Sequence, residues 1–168
     1  MIILKKIQKT REYLDYIEEH VTNVIKAWKE LQDKCKDMRF MWDDYYYFSI
    51  QDEVERHDLS KLSKEEFIQY REYFFSVDDY EKNSADFASA WNHHKENNPH
   101  HWENWIELKW GDNPTWEVHC VHMVLDWMAM GYKFGDTAQE YYEKNKEKIE
   151  LPDWAIEFIY EIFRRVYK

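Results

Sequence analysis

The stretch "EVERHDLSKLSKEEF", Glu53 to Phe67, sets a histidine directly beside an aspartate, His57-Asp58, where an apolar helical face runs into a corner. Upstream, Tyr47, Ile50 and Val54 recur at helical spacing and His57 is the next step of that face, so a helix is expected over roughly residues 41–57. Downstream, Ser63 to Glu66 has the Ser-x-x-Glu form of a capping box, which predicts a further helix with Phe67, Tyr70 and Phe74 turned inward. "HDLSKL" is then the corner between two helices. Two adjacent ionisable groups are costly to bury unless something pairs with them, and a divalent metal suits imidazole and carboxylate together.

The rest of the chain favours helices. Its 168 residues are enough for one domain with a core of its own, here taken as residues 1–168, and it holds only three glycines and three prolines. That leaves little material for linkers, glycine-rich phosphate loops or a many-turned sandwich. Aromatic residues make up 18%, which supplies apolar area against disorder despite 34% charged residues. A formal charge of −11 opposes binding to long nucleic acid. Cys35 and Cys120 form no redox or metal motif and read as free thiols in a reducing compartment. "MIILKKIQKT" is broken by lysines too early for a secretory signal, and no long apolar run follows, so a cytoplasmic protein with no membrane partner is expected.

Leu14, Ile17, Val21, Val24, Ile25, Trp28 and Leu31 mark a first helix of roughly residues 8–35, with His20 at the margin of the stripe. Ser84 is expected to cap a helix on which Phe87, Trp91 and His94 share a face, with His93 about 100° away and facing outward. "WIELKW" alternates before the turn material "GDNPT", so a small β-hairpin can form near residues 105–118. His119, His122 and Asp126 fall at i, i+3 and i+7 of a helix from about residue 117 to 130, where the two histidines either bind metal locally or line a pocket. Asp136 is expected to cap a polar helix, and Leu151-Pro152-Asp153 to introduce a last one carrying Trp154, Phe158, Ile159, Ile162, Phe163 and Val166. The tryptophans at 91, 102, 105, 110, 116 and 127 read as core and pocket wall. The fold class is all-α, with that hairpin as its one exception.

The candidate ligands in chain order are His20, then His57-Asp58, then Asp126. The order His, His-Asp, Asp on successive helices resembles the HD-domain superfamily of metal-dependent phosphohydrolases, and Lys61, three residues after Asp58 in "HDLSK", strengthens the likeness. "HHKENNPHH", His93 to His101, resembles the extra histidines of dinuclear members. The HD-S-K corner, the NPHH segment and Asp126-Trp127 also resemble small bacterial and phage proteins without an assigned function. Asp58 alone could instead cap the next turn, and His100 and His101 could be a solvated loop pair.

The resemblance implies an all-α domain with one or two divalent ions inside. His20, His57, Asp58 and Asp126 would hold the first, and Asp58 would bridge to a second held by His94 and His101. Imidazole and carboxylate together admit Mn, Fe, Co, Ni or Zn. The expected activity is hydrolysis of a nucleotide or related small phosphate ester, with Lys61 neutralising charge on the phosphate and Glu96 or Glu103 as base. Two other activities fit such a sequence: oxygen activation by an HD-type iron pair, and a non-catalytic, metal-stabilised module that binds a nucleotide or protein.

Overall fold

The computed structural model describes residues 1–107 and 115–168, with the backbone alone at 105–107. The chain runs α1 (Ile2–Lys34), α2 (Arg39–Trp42), α3 (Asp44–Glu55), a 3-10 turn (Leu59–Leu62), α4 (Phe67–Phe74), α5 (Ser84–Asn97), α6 (Trp102–Glu107), α7 (Thr115–Phe134), α8 (Ala138–Asn145) and α9 (Asp153–Val166). Among the described residues all regular structure is helical. The described parts of the expected hairpin belong to α6 and to the first turn of α7, and residues 108–114 lie outside the described residues, as do the side chains of Trp105 and Trp110. Residues 115–118, taken with the hairpin, form the first turn of α7, and the helix expected from about residue 117 to 130 is that same α7. No helix among the described residues is long and apolar enough to cross a membrane.

Two compact units form, each from two stretches of chain: Met1–His20 with Asp58–Asn98, and Val21–His57 with Pro99–Lys168. The chain passes from one to the other at His20-Val21, His57-Asp58 and Asn98-Pro99. Each passage is at a candidate ligand or within a few residues of one.

In the first unit the buried hydrophobics are Tyr13, Tyr70 and Ala90, with Tyr16, Phe67, Phe75, Phe87 and Trp91 packed around them. Tyr13, missed by the expected stripe, is 1% exposed while Leu14 beside it is 42% exposed. Phe74, expected inward, is exposed, because α4 ends there and Phe75 takes the inner place. Charge pairs hold the turn after α4. The Glu81 carboxylate accepts from Arg71 at 3.0 Å, from the Val77 backbone N–H at 2.8 Å and lies 2.8 Å from Lys6. Burial works against that carboxylate, yet these three donors hold it down to about 2.

The second unit has a larger apolar core: Val24, Trp28 and Leu31 of α1, Phe40 of α2, Ile50 and Val54 of α3, most of α7, and Ile159, Ile162 and Phe163 of α9. The single helix expected over 41–57 is two, α2 and α3, separated at Asp43, whose carboxylate caps α3 through the Tyr45 N–H. The buried face of α3 is Tyr46, Ile50 and Val54, with Tyr46 in the place expected for Tyr47. α7 ends at Phe134 and is followed by Gly135, whose φ of +83° suits glycine, and a side chain at Gly131 would collide with the Asp136 carbonyl oxygen at 2.5 Å.

Two caps differ from expectation. Asn83, one residue ahead of Ser84, accepts from the N–H groups of Ala85 and Asp86 and so starts α5. Thr137, not Asp136, caps α8 in a reciprocal pair with Glu140.

Candidate metal centre

Asp58 has φ 57° and ψ 21°, a left-handed conformation that no other non-glycine adopts among the described residues. Aspartate tolerates this region better than most residues, but it is uncommon outside turns and functional corners. The Asp58 side chain makes no capping bond to the 3-10 turn that follows, which removes the local explanation for a carboxylate here. His57 ends the first stretch of the second unit, and Asp58 begins the second stretch of the first.

In the first unit, Asp58 is 3% exposed and offers its two oxygens in different directions. Oδ2 lies 3.5 Å from His20 Nε2 on α1, and Oδ1 lies 3.2 Å from His94 Nε2 on α5. Lys61 Nζ stands 2.6 Å from Oδ2, since the 3-10 turn carries it back over the aspartate. The corner thus brings an ammonium and two imidazoles onto one buried carboxylate. Donor spacings near 3 Å are what neighbouring ligands on one ion require when metal–donor bonds are about 2.0–2.2 Å.

His94 is also held from behind. Its Nδ1 lies 2.8 Å from Glu66 Oε2, and the other Glu66 oxygen lies 2.7 Å from His93 Nδ1. Ser60 Oγ is 3.2 Å from His94 Nδ1, and Asn98 donates to Ser60 Oγ and to the His94 carbonyl. Burial pushes the His94 imidazolium toward deprotonation, but the bonds to Asp58 and Glu66 outweigh this and raise it to about 9. Glu66 in turn is held below the usual carboxylate range by His94 and His93, against the effect of its own burial.

These contacts overturn two sequence expectations. Glu66 is not the N3 partner of a capping box, because no side chain caps α4 and its carboxylate is turned inward to the histidines. His93 is half-buried on Glu66 rather than directed away. The Ser-x-x-Glu spacing is a local signal, and two histidines arriving from α5 compete for the same carboxylate.

In the second unit, His57 Nδ1 and His122 Nε2 are joined by a hydrogen bond of 2.8 Å, and His57 Nε2 faces Asp126 Oδ1 at 3.8 Å. His122 Nδ1 in turn faces Glu53 Oε2 at 3.5 Å. The His100 ring packs on both, with centroids 4.7 Å from His57 and 4.4 Å from His122. One nitrogen from each of His57, His100 and His122 lies within 4.8 Å of the others. Burial, then the neighbouring His100, push His122 down to about 4 against the pull of Glu53, so it is a neutral imidazole at ordinary pH. Such a ring can accept a proton or bind a metal.

The expected site residues therefore gather in two sets. His20, Asp58, Lys61 and His94 come together in the first unit, and His57 and Asp126 in the second. The His101 ring lies tilted against that of His100, with centroids 4.4 Å apart, and His100 in turn meets His57 and His122. Glu96 lies on the exposed side of α5. Glu103 is half-buried on α6 with Oε2 shielded and making no hydrogen bond, and both Glu103 and Asp126 act on the Tyr141 hydroxyl, which burial raises first. Glu66 and Glu53 are contributors that sequence reasoning passed over, while His100 was weighed between ligand and solvated loop residue and His122 between local ligand and pocket wall.

These buried histidine and aspartate groups are positioned to hold a metal ion. Their donor chemistry fits one: imidazole nitrogens and carboxylate oxygens make up these groups, and the Asp58 carboxylate lies against His20, His94 and Lys61. A search of curated proteins and a search of solved structures return no match to the chain. A family model matches residues 9–165, which include every candidate ligand, and the chain belongs to that family, the family of unknown function DUF5662.

Proposed function

We propose that this chain is an HD-type, metal-dependent phosphohydrolase acting on a nucleotide or a related small phosphate ester. The observation that carries the reading is the division of Asp58, one oxygen toward His20 and the other toward His94. A carboxylate so divided is suited to bridge two ions. The chain order His20, His57-Asp58, Asp126, with Lys61 after the aspartate, supports the same reading.

A divalent ion such as Mn, Fe, Co, Ni or Zn, when bound, supplies Lewis acidity and a water acidic enough to attack phosphorus at neutral pH. The chain supplies the rest. His20, Asp58 and His94 in the first unit and His57 and Asp126 in the second present donors. Lys61, fixed on Asp58, keeps positive charge beside the carboxylate and offsets the charge of an arriving phosphate. Glu103, with one oxygen shielded and making no hydrogen bond, is better placed than the exposed Glu96 to take a proton. The net charge of −11 favours small phosphate esters over long nucleic acid, whose many phosphates would be repelled.

The test is anaerobic incubation of the protein, loaded in turn with Mn, Co or Fe, with a panel of nucleotides and phosphomonoesters, measuring released phosphate. Turnover without oxygen is expected. No release with any metal, combined with oxygen consumption by the iron form, would replace hydrolysis by oxygen activation.

A further inference from the structure

We propose that Glu66 is a positioning residue that makes His94 a metal ligand, an inference that rests on the metal-centre reading above. Glu66 is fully buried at the start of α4, far in sequence from the histidines it meets. Its two oxygens are divided between consecutive residues of α5, Oε1 to His93 Nδ1 at 2.7 Å and Oε2 to His94 Nδ1 at 2.8 Å.

An ionised carboxylate can only accept hydrogen bonds, so both Nδ1 atoms must carry a proton. The neutral form of His94 then has its lone pair on Nε2. That is the atom 3.2 Å from Asp58 Oδ1, on the side where an ion held by Asp58 would lie. A histidine ligand whose other nitrogen donates to a carboxylate is fixed in tautomer and ring orientation, and becomes a more basic donor.

His93 has a different part in the same arrangement. It takes the second Glu66 oxygen from a position about a third exposed, and so keeps the carboxylate from turning off His94. Asn98 fixes the far end by donating to the His94 carbonyl at 2.7 Å and to Ser60 Oγ at 2.7 Å. The ring of His94 is thus held by groups from the 3-10 turn, from α4 and from its own helix.

The test uses Co2+ alone as probe on the full chain, reading its visible absorption and its affinity in wild type, Glu66→Gln, Glu66→Leu and His93→Ala. Measurements are made at a temperature where circular dichroism shows each variant folded. Glutamine keeps one accepting oxygen and so can serve only one of the two Nδ1 donors, so Glu66→Gln should lose about tenfold in affinity, and Glu66→Leu, which accepts nothing, about 100-fold with an altered spectrum. His93→Ala should lose less than Glu66→Gln. Should leucine not fold, glutamine alone carries the comparison. Equal affinity and spectrum in wild type and the folded Glu66 variants would make Glu66 structural only, and no Co2+ uptake by wild type would overturn the inference together with the metal centre. Because no substrate is present, failure to release phosphate counts against hydrolysis and leaves this result standing.

Discussion

The two units are held together by different means. The second buries a continuous set of aliphatic and aromatic side chains contributed by α1, α2, α3, α7, α8 and α9. The first buries Tyr13, Tyr70 and Ala90 and, alongside them, His20, Asp58, Lys61, Glu66, Arg71 and His94. Apolar burial is non-directional and tolerates small shifts, whereas a buried charge is stable only while its partners remain in place. The first unit is therefore the one in which geometry is specified by charge.

The sharpest way to break this contrast is to remove the carboxylate on which the first unit converges. Asp58→Ala leaves the Lys61 ammonium, 2.6 Å away and itself buried, without that partner, along with His20 and His94. Loss of one member of a buried pair costs about 3–5 kcal/mol. Urea unfolding should show a loss of that order, and metal content should fall with it. Lys61→Met, by contrast, should retain metal, since an ammonium is not a ligand, and should lower kcat in the proposed phosphate release. A cost below about 1 kcal/mol for Asp58→Ala would mean that charge pairing does not stabilise the first unit.

The matching change in the second unit is Ile159→Ala. Ile159 is fully buried on α9, and truncating such a side chain costs about 2–5 kcal/mol by lost transfer energy and the cavity left behind. Hydrogen exchange should show the loss of protection in residues 21–57 and 115–168. Metal content at low temperature should not change. If Ile159→Ala strips metal as fully as Asp58→Ala does, the apolar and polar roles are not separable in the way the two interiors suggest.

What the sequence disclosed follows the same division. Helices whose apolar residues keep a period, such as α1, α4 and α9, were legible, and so was the burial of His20, His57, Asp58 and His94, because each lies on or beside such a face. The helix carrying His119, His122 and Asp126 was read from their spacing, but spacing along one helix does not say which distant side chain His122 meets, and it stands 2.8 Å from His57. Glu66 was masked by a local pattern, since Ser63 three residues before it satisfies the capping-box spacing and nothing nearby announces histidines from α5. The left-handed backbone at Asp58 was likewise invisible, because no glycine or asparagine marks it. Periodic signals report which face is buried, and they say nothing about which distant side chain will claim a buried carboxylate.

Acid should weaken the first unit through a group outside the metal-binding set. The three donors around Glu81 lower its carboxyl to about 2 from the usual 4.5. A carboxylate lowered in the folded state contributes stability that is present above pH 4.5 and is lost as pH falls toward 2. Melting temperatures of wild type and Glu81→Gln, measured from pH 6 to pH 2, should therefore be separated at the upper end and converge at the lower. Parallel curves across that range would show that Glu81 titrates alike in both states.

The smallest effect concerns the start of α5, the helix that carries His93 and His94. Asn83 caps it by accepting from Ala85 and Asp86, and Ser84, which has the composition of a cap, lies one residue too late to reach those donors. Replacing a capping asparagine by alanine leaves two N–H groups of the first turn without their acceptor and costs about 1 kcal/mol. Asn83→Ala should lower stability by about that amount, and Ser84→Ala, in the first turn of the helix, should change it by less than about 0.5 kcal/mol. The change is far from His94 along the helix, so Co2+ affinity should be unaffected while exchange at residues 84–87 speeds up. If Ser84→Ala proves the costlier of the two, α5 begins one residue later than described, and fraying at that end would lie closer to His94.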